Sequence, residues 1–191
     1  NIGQVLSFLK LNLSINKKLD SSELEEKIKS SHELVSEVIR DVRNLSKSLS
    51  YEFIKEFGLV STIKNELDRI NQTKIYEVSF ETCGKEFLFT NQFNLLIFRI
   101  FQESLNNIIK HALASKIKVC INYQNSFFEL TLTDDGIGFE KDNANIKLGS
   151  GLKNIQKRAH LLGGELEIIS ETNSGSTIKL KVPTNLPVNE N

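Results

Sequence analysis

The chain has 191 residues, 39% of them hydrophobic, enough to bury the core of one ordinary domain with an appendage or of two small domains. Lysine and arginine together number 24, as do aspartate and glutamate, so no charge excess calls for nucleic acid or an anionic membrane surface. Its two cysteines, Cys83 and Cys120, form no Cys-x-x-Cys or Cys/His cluster, which argues for reduced structural thiols and against a zinc site or a disulfide framework.

Residues 1–50 contain no proline, one glycine (Gly3) and one aromatic residue (Phe8), a composition suited to helix. Ile2, Leu6, Leu9 and Leu13, with Val5, Phe8, Ile15 and Leu19, make two adjacent apolar stripes of a first helix. The segment LDSSELEE supplies a turn, with Ser21 or Ser22 as N-cap and acids in the first turn of a second helix. There Leu24, Ile28, Ser31, Val35, Val38, Val42, Leu45 and Leu49 alternate spacings of four and three, a heptad seam with one polar member. The pair reads as a helical hairpin. Two helices alone bury such broad faces poorly, whereas two hairpins meeting about a twofold axis form a four-helix bundle, so a homodimer is expected. The alternative is a hairpin packed on the second domain of its own chain.

Residues 51–58 read as a linker, 59–70 as a helix, and KIYEVSFET (74–82) alternates like a strand. Residues 92–113, QFNLLIFRIFQESLNNIIKHAL, form a long helix whose apolar residues occupy more than one face. KIKVCINY (116–123) and FFELTLTD (127–134) are strand-like, GLKNIQKRAHLLG is another helix, and ELEIISE pairs through the TNSGS turn with TIKLKV. Residues 184–191 form a tail. Helices mixed with mainly antiparallel strands give an α+β chain: an N-terminal helical hairpin followed by an α/β sandwich over 59–183. No run of about 18 apolar residues occurs, and no signal-peptide pattern opens the chain. A cytoplasmic setting is expected, and no membrane contact by these residues, any anchor of the parent protein lying elsewhere.

Glu103, Asn107, Lys110 and His111 recur at helical spacing, so they share one face or adjacent faces. A carboxylate and a carboxamide are hard ligands for Mg²⁺ or its waters, and a Lys and a His suit phosphate oxygens. A solvated helix face is the ordinary alternative, but the apolar neighbours leave this helix little free surface. Asp134 ends a strand-like run and can accept a hydrogen bond from an exocyclic amine such as that of adenine, while Gly136 and Gly138 permit backbone geometry closed to other residues. Alone, DDGIG is more often a turn. Gly149, Ser150 and Gly151 lead into a helix at Leu152, where backbone amides favour phosphates. The polar residues 139–148 between these boxes are expected to form a lid.

The ordered series QESLNNIIKH, DDGIG, GSGL and GSTI resembles the ATP-binding (GHKL or Bergerat) domain shared by gyrase, Hsp90, histidine kinases and MutL, over roughly residues 58–183. With the hairpin, NIGQVLSFLKLNL, VRNLSKSLS and RAHLLGGELEI are similar to the sensor histidine kinases of the nitrate-sensor and DesK-like branch. The resemblance implies a cytoplasmic kinase core that binds ATP and Mg²⁺, phosphorylates a histidine of its own homodimer and passes the phosphoryl group to a response-regulator receiver domain. It implies that Asp134 binds the adenine amine, Asn107 and Glu103 hold the metal, and Glu103 also positions the reacting groups. Lys110 and His111 would touch phosphates. Gly136 and Gly138 would shape the adenine pocket, Gly149, Gly151 and Leu152 would wrap the triphosphate, and Thr177 would support Asp134. In that branch the first helix carries HDxxxQ, and Gln4 matches the Gln that orients a hydrolytic water in the phosphatase reaction. The acceptor His and its Asp would then precede residue 1, so these 191 residues are expected not to phosphorylate themselves. Two rivals remain at this stage: an ATP-driven clamp of the gyrase or MutL type, and a regulatory module with a vestigial pocket.

Overall fold

The computed structural model describes residue 6 and residues 21–86, 89–139 and 150–184. Gln4, Gly149, most of the expected lid, the tail from 185 and the first helix of the expected hairpin lie outside the described residues. The chain divides into two units, Asn1–Glu52 and Phe53–Asn191. Helix α1, Ser21–Gln72, runs through the expected linker and is broken at Gly58 (φ 80°, ψ 172°), a backbone conformation that suits glycine. In the first unit Ser31 and Val38 of the heptad seam are buried, while Ile28 and Val35 of the same seam, and Ile39, are exposed.

In the second unit the remainder of α1 is followed by β1 (Glu77–Cys83), α2 (Asn91–Asn107), a π-helical turn (Ile108–Ala112), β2 (Lys116–Tyr123) and β3 (Phe127–Asp134). Then come α3 (Ser150–Leu161), β4 (Glu165–Ser170) and β5 (Ser176–Pro183). The five strands form one sheet in the order β1-β2-β3-β5-β4. β1 and β2 are parallel, and the crossover between them is α2; every other pairing is antiparallel. The strand alternation read from sequence sorts residues onto two faces. Ile117, Val119, Ile121, Leu130, Leu132, Leu180 and Val182 are buried on the inner face, against helical residues including Ile63, Phe98, Phe101 and Ile155. The other face carries Lys116–Glu77 and Lys118–Glu81 pairs at 3.2 and 3.1 Å and is solvated. This is an α/β sandwich of two layers.

Helix α2 begins where Thr90 accepts a hydrogen bond from Phe93 N at 3.3 Å, and it buries Ile97, Phe98, Ile100, Phe101, Ser104 and Leu105. Ser104 is tolerated there because its hydroxyl donates to the Ile100 carbonyl at 2.8 Å. Among the described residues no helix is long and apolar enough to cross a membrane. Phe101 has no exposed surface. Phe101→Ala is therefore expected to cost about 3–5 kcal/mol in urea unfolding, whereas Lys118→Ala, which breaks only an exposed pair, should cost about 1 kcal/mol or less.

Candidate nucleotide-binding site

Asp134 is the last residue of β3 and is 4% exposed. Both of its carboxylate oxygens are held: Gly136 N donates to Oδ1 at 2.9 Å, and the Ser176 hydroxyl donates to Oδ2 in a short hydrogen bond. An ionised carboxylate has about four acceptor sites, so Asp134 is fixed in orientation and still able to accept from a ligand. Thr177, expected to support it, does not. In the β3–β5 register Asp134 lies opposite Ser176, and Thr177 lies opposite Thr133, with the two threonine hydroxyls 3.1 Å apart. Side chains alternate along a strand, so Thr177 faces away from Asp134. The missed residue is Ser176, and only the pairing register distinguishes it from its neighbour.

The DDGIG loop leaves the strand along the π-turn. Ile137 N donates to the Ala112 carbonyl at 2.8 Å, and a Cβ on Gly136 would stand 2.2 Å from that oxygen. Gly138 has φ +57°, and a Cβ there would meet the Glu171 carbonyl at 2.1 Å. Both glycines are thus required by backbone approach. The neighbouring Asp135 has a separate, structural task. Its carboxylate accepts from Ser115 N at 2.8 Å, Ser115 Oγ at 2.7 Å and Lys116 N at 2.7 Å, joining the loop to the start of β2.

Across the site, α2 presents Glu103 and Asn107, one helical turn apart and both half-buried. A Cβ built on Gly151 would lie 2.5 Å from Glu103 Oε1 and 3.4 Å from Asn107 Oδ1, so the start of α3 comes directly against both side chains. Asn107 Nδ2 is buried without a hydrogen-bond partner. Leu152 is half-buried and packs on the core. Lys110 and His111 are not on an unbroken α-helix. After Asn107 the coil widens to π geometry and ends at Leu113 in the left-handed region (φ 53°), so the α-helical spacing holds for Glu103 and Asn107 alone. Lys110 and His111 are exposed on that turn.

Residues 94–186 match the family described as histidine kinase-, DNA gyrase B-, and HSP90-like ATPase. The chain is 32% identical over 162 residues to the signal transduction histidine-protein kinase/phosphatase DegS of Brevibacillus brevis, covering 84% of this chain and 40% of that protein. The chain belongs to the sensor histidine kinases. It is also 27% identical to the oxygen sensor histidine kinase NreB of Staphylococcus carnosus, over 86% of this sensor kinase chain and 47% of that protein. It thus spans less than half the length of these relatives. The histidine kinase domain of the Erythrobacter litoralis EL346 blue-light activated histidine kinase shares the fold, with a TM-score of 0.62 at 16% identity over 95% of this chain and 92% of that one. These residues are the catalytic ATP-binding core of a sensor histidine kinase.

The Ser115 hydroxyl, and then the backbone amides, hold the Asp135 carboxyl below the usual carboxylate range. A folded-state pKa below the unfolded one stabilises the fold at pH values above the unfolded pKa of about 3.9 and is lost as pH falls through the folded value. Asp135→Asn is therefore expected to be less stable than the parent at pH 7, with a gap in urea midpoint that closes as pH falls below about 4. A gap independent of pH would show that the charge of Asp135 is not involved.

Proposed function

We propose that Asp134, Glu103, Asn107 and Gly151 hold Mg²⁺-ATP in this sensor kinase core, and that the kinase built on it transfers the γ-phosphoryl group to a histidine and then to an aspartate of a response-regulator receiver domain. The observation that supports the nucleotide reading best is the Asp134 carboxylate, buried and clamped by Gly136 and Ser176, with acceptor capacity left for the adenine amine. Glu103 and Asn107 offer hard oxygen donors, and the unpaired carboxamide nitrogen of Asn107 marks a polar group without its partner. Two such side chains suit Mg²⁺, which keeps several waters and takes the rest of its shell from phosphates. When bound, the ion would neutralise charge on the phosphoryl oxygens.

Gly151 lets the start of α3 come close against Glu103 and Asn107, where the phosphate chain is assigned, and Gly149 and Leu152 are assigned to the same loop and helix start. Lys110 and His111 are assigned to phosphate oxygens, and Gln4 to a hydrolytic water in the reverse, phosphatase direction. In transfer, an imidazole nitrogen attacks the γ-phosphorus as the bond to the bridging oxygen breaks and ADP leaves. The residues of the site act by positioning and by charge stabilisation. Asp134→Asn puts an amide where a donor must be accepted, and Asn107→Asp adds a charge at the metal, so each should weaken Mg²⁺-ATP binding about tenfold or more. Calorimetry on the two folded variants checks this; parent-like affinity in both would remove the site.

A homodimer through residues 1–50, in a cytoplasmic setting, completes the proposal. Ile28 and Val35 are 61% and 38% exposed on a heptad seam, a face that a second copy would cover. Because Val35 is open in one chain, Val35→Glu should leave the fold intact and dissociate the dimer by at least about tenfold, since an unpaired carboxylate is costly to bury. Sedimentation equilibrium reads the outcome, and a parent that is monomeric at every concentration would end the dimer claim.

A further inference from the structure

Strand β1 lies at the edge of the sheet, and among the described residues it pairs with β2 alone. Glu77 N donates to the Ser115 carbonyl at 2.8 Å, in the direction of β2. In a parallel pair the backbone groups of alternate residues serve the neighbouring strand, so Glu77, Ser79, Glu81 and Cys83 bond to β2. The N–H and C=O groups of Val78, Phe80 and Thr82 point to the free edge, and among the described residues no hydrogen bond reaches them there. A row of unpaired donors and acceptors on an edge strand is a template for another strand.

The same three residues line a groove of about 420 Å³ between β1 and the last part of α1. Val60, Lys64, Leu67 and Asn71 recur at spacings of four, three and four, so one face of α1 forms the far wall. Val78 and Phe80, both half-buried, form the near wall, with the exposed Thr82 at its end. The free backbone edge and the groove thus lie side by side. A strand laid on the edge sets every second side chain into the groove. None of the residues lining it belongs to the nucleotide site.

What β1 accepts on its paired side indicates what its free side fits. In β2 the alternation Lys116, Ile117, Lys118, Val119 places the apolar residues in the core and pairs the lysines with Glu77 and Glu81 on the solvated face. β1 itself carries two acids and no base. On the helix wall Lys64 and Asp68 are of opposite charge and favour neither sign. A second copy fits poorly: the two edge strands of the sheet, β1 and β4, expose Glu77 with Glu81 and Glu165 with Glu167, and like charges facing each other across strands are destabilising. We infer that the edge of β1 and the groove beside it dock an extended strand of a partner protein in which apolar and basic side chains alternate. Its backbone pairs with Val78, Phe80 and Thr82, its apolar side chains fill the groove, and its basic side chains meet Glu77 and Glu81.

The test titrates the 191-residue chain with the capped peptide Lys-Ile-Lys-Val-Lys-Ile and with its acidic counterpart Glu-Ile-Glu-Val-Glu-Ile by calorimetry, and follows amide hydrogen exchange by NMR. Saturable binding of the basic peptide is expected, tighter than that of the acidic one, with new protection of the Val78, Phe80 and Thr82 amides. Those of Ser79 and Glu81, already bonded to β2, should not change. Thr82→Pro removes one outward N–H where an edge strand tolerates proline. It should weaken the basic peptide about tenfold and leave ATP affinity as in the parent. Should that variant fail to fold, Glu77→Lys combined with Glu81→Lys alters only solvated side chains and should make the acidic peptide the tighter binder. The inference is overturned if neither peptide saturates, or if binding leaves the three amides unprotected, which would mark the groove as a site for an apolar group alone. An unchanged peptide preference in the charge-reversed chain overturns it as well. So does self-association of the parent that Thr82→Pro abolishes, which would give the edge to a second copy.

Discussion

Asp134 meets Ser176 because β3 and β5 pair antiparallel in one register, and that register orients the carboxylate proposed to meet adenine. Strand side chains alternate, so a slip of one residue would bring Thr177 opposite Asp134, exchange the buried and solvated sets, and expose Leu180 and Val182. The apolar inner face thus enforces the register, and the register delivers a hydroxyl to the carboxylate. Gly175 belongs to the same arrangement: its φ is +74°, and a Cβ there would stand 2.0 Å from the Asp134 carbonyl oxygen. The turn that joins β4 to β5 can approach the strand end only without a side chain. Core packing and site geometry are here one constraint.

The glycines divide by what confronts them. At Gly136 and Gly138 the obstacle is a backbone carbonyl, which cannot move without dismantling the contact between loop and π-turn or between loop and β-hairpin. At Gly151 the nearest atom is the end of the Glu103 side chain, which can rotate. Substitution at the first two positions therefore strains the fold, whereas at Gly151 it displaces a side chain assigned to the metal. The same residue type serves architecture in one box and access in the other.

Much of this was legible in the sequence where a period of two or a paired turn fixed the answer. The runs 116–123 and 127–134 alternate so regularly that they coincide with β2 and β3, and the TNSGS segment does join two antiparallel strands. The placement of Asp134 at a strand end and the glycines of the following loop were readable because an acid followed by spaced glycines is a local pattern. The choice of Ser176 over Thr177 was not, since it rests on the pairing of strands 42 residues apart. The π-turn was hidden too: IIKHA carries no proline or glycine to announce it, and spacing arithmetic assumes one helical pitch throughout. Residues 51–57 change composition yet continue as helix, and the break falls on the single residue Gly58, whose positive φ composition alone does not reveal.

The polar groups left unsatisfied are not spread evenly through the ATP-binding unit. Within Phe53–Asn191, every one found among the described residues lies on α2 or α3, on a half-buried residue, while the more deeply buried Ser104, Thr62 and Asp134 all have hydrogen bonds. Donors already satisfied by protein acceptors would have to break those bonds before binding a ligand. Under the proposed assignment Asn107 is a donor free of that cost, and oxygens of the nucleotide would give it a partner. By linkage, a nucleotide bound there would raise the stability of this sensor kinase core.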